Sequence, residues 1–214
     1  MSDEEINITI VPPSPTMSMS RPAVRPVCVC SSPDSTSTTV IKPGMYVVFA
    51  NATEPNPSPR HIGLVTRSSL HVAGECSIQN ITVNYASTVQ PPVSVVAKHY
   101  LEIIPPIRDS SGRVPFWPSD DSFQWTTLGV LLTVTRVHGA ETTYAIPDYE
   151  LERVKDGMRD DCRELEEMSR NLGAEDIQQL QRLTFSTDHI PAEVWLDIRE
   201  APPDAMQRAF EFSA

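Results

Sequence analysis

Glycine is scarce in this chain. Its 214 residues include 8, and none stands in a Gly-x-Gly-x-x-Gly loop, so a phosphate-cradling nucleotide site is not expected. Runs of Lys and Arg are missing. The formal net charge is −11, which argues against nucleic acid as a partner, because phosphate contacts need clustered cations. The same deficit speaks against docking on anionic membranes. No stretch approaches the ~20 apolar residues of a membrane span. The opening Met1-Ser2-Asp3-Glu4-Glu5 is acidic and has no apolar core of a secretory leader, so an intracellular protein is expected. Cysteine is rare: Cys28, Cys30, Cys76 and Cys162. In a reducing compartment these read as free thiols. Cys28-Val29-Cys30 with Cys76 and His71 gives no ordered ligand spacing, so neither a metal site nor a cofactor is assigned. The five histidines are scattered, with no His-x-x-x-His pair, and no nucleophile–base set stands out. An enzyme is therefore the weaker expectation; its remaining form is a site around His99 and Asp120-Asp121.

What is present changes character at Pro147-Asp148. Up to Pro147 there are 9 Lys and Arg against 11 Asp and Glu; from Asp148 on there are 8 against 17. The hydrophobic period changes at the same point. Three regions follow. Residues 1–40 read as a disordered Pro/Ser-rich arm, with one strand-like alternation at Ile6, Ile8 and Ile10. Residues 41–147 read as a small antiparallel β-barrel interrupted by an aromatic insertion at 105–126. Residues 148–214 read as an acidic helical region. The expected class is α+β.

Within 41–147, Met45–Ala50 is a compact apolar strand after Pro43-Gly44. His61–Arg67 is a second strand, and Ile81, Val83 and Tyr85 mark a third. Val93, Val95, Ala97, His99, Leu101 and Ile103 alternate as a long fourth strand, with His99 a core histidine. Leu128–Val134 and Thr142–Ile146 flank His138-Gly139 as a hairpin.

After Pro147, Asp148 is placed to cap a helix, with Glu150 and Glu152 in its first turn. Leu151, Val154, Met158, Leu165 and Leu172 form its apolar stripe. That stripe either docks a partner or packs on the chain's own strands. As a coiled coil it would put Asp161 at a core position, although a homo-oligomer stays open. Gly173 is expected to stop the helix. A second helix carries Ile177, Leu180 and Leu183. A third is expected from Pro191 through Val194, Trp195 and Ile198, and a last helical turn set over Asp204–Phe212.

The aromatics Phe116, Trp117, Phe123 and Trp125 are the candidate binding residues. In a loop beside acids they could cage an ammonium group or groove a proline-rich peptide; alternatively they plug one end of the barrel.

Lys42-Pro43-Gly44-Met45-Tyr46-Val47-Val48-Phe49, a loop, and His61-Ile62-Gly63-Leu64-Val65 together resemble the opening of an SH3-like barrel of the KOW, Tudor or BAH kind. The resemblance covers 41–104 and implies a recognition module for peptides, modified tails or nucleic acid. It transfers no binding residue, because Asn51–Pro59 lacks the aromatics such modules place after the first strand. The function expected is a non-enzymatic interaction module for basic or proline-rich protein segments, with a helical docking tail. The rival is an assembly subunit that uses its N-terminal arm for inter-subunit contacts.

Overall fold

The computed structural model describes residues 40–54, 58–73, 76–103, 108–109, 121–139, 143–184 and 188–212. The arm 1–39, with Ile6, Ile8, Ile10, Cys28 and Cys30, lies outside them. So do Asp120 and the aromatics Phe116 and Trp117.

The strands are β1 (Met45–Asn51), β2 (His61–Ala73), β3 (Cys76–Ser87), β4 (Tyr100–Glu102), β5 (Arg108–Asp109), β6 (Phe123–His138), β7 (Tyr144–Ala145) and β8 (Ile190–Trp195). Two helices, α1 (Asp148–Ser169) and α2 (Ala174–Leu183), separate β7 from β8. The protein is thus α+β, as its patterning indicates.

β1 begins where Gly44 turns the chain at φ +91°, a conformation other residues rarely adopt. All seven residues of β1 are buried, which accounts for its unbroken apolar run: a strand covered on both faces does not alternate. Val47 and Phe49 face one core cluster with Val83, Trp125, Leu132 and Val194. Tyr46 and Val48 face a second, with Ile62, Leu64, Val154 and Ile198.

Pairing runs β2–β3–β6–β8–β1, and β1 also pairs with β2, so five strands close into a ring. Every junction is antiparallel except β6–β8, which is parallel. β4 pairs with β6, and β7 links β1 to β5.

Several expectations are corrected here. The helix expected from Pro191 is the strand β8. Ile190, Ala192 and Val194 are buried and their neighbours are not; this period of two fits the slot between β1 and β6, so tertiary pairing overrides the helical spacing. The region after 148 is therefore not purely helical: it supplies a strand to the ring. The long strand over 93–103 shrinks to β4. Val96 N bonds Val93 O, Ala97 N bonds Ser94 O and His99 N bonds Val96 O, a 3₁₀ turn at Ser94–Val96. Val93, Val96 and His99, spaced by three, are the buried residues there, and three is the 3₁₀ period.

The hairpin across His138-Gly139 does not form. β7 pairs with β1, Tyr46 opposite Tyr144, while β6 continues to His138 opposite Trp195. β6 starts at Phe123, so the end of the expected insertion is strand. The last segment forms no regular helix but a succession of turns, with Arg208 N bonded to Asp204 O and Glu211 N to Arg208 O, ending in a 3₁₀ turn at Ala209–Glu211.

α1 follows its predicted stripe. Leu151 and Val154 are buried; Met158 packs on the second cluster, Leu165 and Leu172 on the first. The stripe is turned to the chain's own strands, with Leu151 and Val154 buried and Met158, Leu165 and Leu172 half-buried. The outer face pairs Glu150 with Arg153, Glu152 with Lys155, Asp156 with Arg159 and Asp160 with Arg163, solvent-screened pairs that add little to stability. Asp148 lies in the first turn without capping it; the cap position is Pro147. Gly173 sits at the N-cap of α2 instead of ending α1. Among the described residues, no helix is long and apolar enough to cross a membrane.

Candidate functional site

Two surfaces and two buried histidines hold the chemistry of this fold. The first lies where α1 crosses the end of β4. The 3₁₀ turn delivers His99, whose carbonyl accepts from Thr126 N at 3.1 Å, so its backbone is fixed to β6. The ring is fully buried. Its Nδ1 lies 3.4 Å from Thr127 Oγ1. Its Nε2 has no hydrogen-bond partner and stands 3.7 Å from Glu164 Oε2. Asp161 and Glu164, three apart on α1, share the face turned to it. Asp161 Oδ2 lies 2.5 Å from Thr126 Oγ1. One donor atom from each of His99, Asp161 and Glu164 falls within 4.8 Å of the others.

Lys98 closes the outer side by an ion pair to Glu164 Oε1, and its hydrogen bond holds the Glu164 carboxyl below the usual carboxylate range. Beside the cluster, burial first and then the Asp161 and Glu166 charges push the Cys162 thiol up, which makes it a poor nucleophile.

The second surface is the projecting end of the β2–β3 hairpin. β1 pairs with β2 only over His61–Leu64. Beyond the bulge between Val65 and Arg67, Arg67–Ala73 pairs, among the described residues, with β3 alone. Leu70 and Val72, on one face of this segment, are 44 % and 69 % exposed.

The aromatic candidates divide. Trp125 is fully buried. Tyr100, Phe123 and Phe210 surround it at ring centroids of 5.5, 6.2 and 5.8 Å, and its Nε1 donates to Ser87 Oγ at 2.7 Å. A ring enclosed in this way has no face left for an ammonium ligand. Phe123 is partly buried against the same core. Of the residues weighed and set aside as metal ligands, His71 lies on the exposed hairpin and Cys76 starts β3.

His61 is buried between Phe49 and Phe212, with centroids 5.8 and 5.3 Å away, and its Nδ1 is unpartnered. Burial, and then the Arg208 charge, lower its pKa from 6.5 to about 4. The folded protein therefore binds fewer protons than the unfolded chain between these values. Stability from His61 is full above pH 6.5 and falls as the pH drops towards 4, by about 3 kcal/mol at ~1.4 kcal/mol per pKa unit. Urea unfolding at pH 7.5 and 4 should show this loss, and a His61→Leu variant should lack that part of it. Equal pH dependence in both proteins would refute the assignment.

No family model, curated protein or solved structure matches this chain.

Sequence reasoning missed the His99 cluster because its members come from segments some sixty positions apart. The one available signal was Asp161, a carboxylate within the apolar stripe of α1.

Proposed function

We propose that the protein is a non-enzymatic interaction module that takes up an extended protein segment along the free edge of β2. The observation that carries this reading is the stretch Arg67–Ala73, which among the described residues has a strand on one edge only, beside exposed Leu70 and Val72. An open strand edge presents backbone donors and acceptors to an incoming strand, and alternate side chains set its specificity. The ring of five strands is the rigid support and, in this reading, acts as a small SH3-like barrel. The net charge of −11 favours a basic segment with apolar residues at every second position. The test is a peptide array of that pattern with affinities measured in solution. A Leu70→Asp, Val72→Asp double variant should bind at least ~10-fold more weakly, while its stability changes by about 1 kcal/mol or less, as for exposed sites. Bound peptide should slow amide exchange in Arg67–Ala73; protection confined to another face would overturn the reading.

A second reading uses the same edge. The alternation at Ile6, Ile8 and Ile10 suits strand addition to a neighbouring copy, which makes the protein an assembly subunit. Light scattering separates the two: a discrete large assembly, lost when residues 1–40 are removed, supports the subunit.

A further inference from the structure

We propose that His99, Asp161 and Glu164 form a binding site for a divalent cation of the zinc class. The buried Nε2 of His99 has no hydrogen-bond partner among the described residues. A neutral histidine carries one N–H. If Nδ1–H points to Thr127 Oγ1, Nε2 is left as an acceptor facing the Glu164 carboxylate at 3.7 Å. Two acceptors then oppose one another in a buried site. If the proton sits on Nε2 instead, 3.7 Å is too far for a hydrogen bond. A cation between the two groups satisfies both.

The donor set fits such an ion. Imidazole with carboxylates suits zinc and its neighbours in the first transition row, and three protein ligands with an open position are a recurrent zinc arrangement. Ligands at about 2.0–2.2 Å from zinc stand roughly 3–3.5 Å apart, so donors now within 4.8 Å need only small rotations. Glu164, whose side chain is 43 % exposed, can supply them. The supporting contacts are also those of a metal site. A ligating histidine commonly donates its other nitrogen to an outer group, and ligating carboxylates are themselves hydrogen-bonded. Here Thr127 and Thr126 stand in these places. The Thr126 hydroxyl stands 2.8 Å from the His99 carbonyl oxygen and 2.5 Å from Asp161 Oδ2; because Thr126 N also serves that carbonyl, turning the one hydroxyl proton to Asp161 still leaves the carbonyl a donor. Lys98 holds Glu164 Oε1 and leaves Oε2 towards the ring. Its charge opposes a second cation, so it sets the affinity.

The experiment uses full-length protein with Cys28, Cys30, Cys76 and Cys162 changed to Ser, so that thiols do not contribute. Co(II) is titrated by visible absorption and Zn(II) by calorimetry. One equivalent of either should bind, and Zn(II) should shift the imidazole ¹⁵N resonance of Nε2 of His99. Glu164→Gln and Asp161→Asn should each weaken binding on the order of 100-fold. Lys98→Met should strengthen it several-fold. Zinc should raise the thermal midpoint of the parent protein and leave that of Glu164→Gln unchanged; melting of the metal-free variants checks that they fold. No binding at about 1 mM metal, or binding that survives both carboxylate changes, overturns the proposal.

Discussion

A Gly63→Ala variant is expected to lose about 3 kcal/mol of stability, at or above the upper end of the usual cost of overpacking. Gly63 sits in β2, opposite Val47 of β1 and Tyr85 of β3. A Cβ built there would meet Val83 Cγ1 at 2.4 Å and the Asn84 carbonyl oxygen at 2.5 Å. The valine methyl can turn away. The carbonyl cannot move easily, because the Asn84 side chain holds this part of β3 to β6: its Nδ2 donates to Trp125 O at 3.1 Å and to Thr126 O at 3.0 Å. On the opposite side, β1 blocks retreat of β2. The urea midpoint should fall accordingly. Adding Val83→Ala should recover only part of the loss, since the backbone contact persists. A midpoint within error of the parent protein would show that β2 yields more readily than this geometry allows.

Trp125→Ala should cost about 3–5 kcal/mol, the range for emptying a large aromatic site in a core. Trp125 joins Tyr100, Phe123 and Phe210; Phe210 in turn meets Tyr85, and Tyr85 meets Phe49. Removing the indole opens this chain at its centre, and the near-ultraviolet circular dichroism of the cluster should collapse with the stability. Trp125→Phe separates packing from hydrogen bonding. It keeps a ring and removes the donor to Ser87 Oγ, for which about 1 kcal/mol is the ordinary net value. Near-equal losses in the two variants would show that the bond, and not the packing, dominates.

Local signals were readable wherever they were strong. Pro43-Gly44 and the apolar run behind it marked β1. The three-and-four spacing from Leu151 to Leu172 marked α1, and Ile177, Leu180 and Leu183 marked α2. Less was readable where neighbours decide. Val194 and Trp195 satisfied a helical spacing, but the vacancy between β1 and β6 made them strand. Val93, Val96 and His99 belonged to a turn whose period of three was hidden inside a period of two. For the cation site, His99 was recognised as a core histidine. Nothing along the chain distinguished Glu164 from the other acids of α1, because its meaning comes from the helix's path over β4.

The parallel seating of β8 beside β6, with Phe49 of β1 opposite Val194 on the other side, bears on how the protein acquires its shape. The ring has no closure until a segment near the far end of the chain reaches a strand near its beginning, and contacts of such sequence separation slow folding. During synthesis the earlier strands must wait with one gap open. That interval is when their unsatisfied edges are most exposed to neighbouring chains.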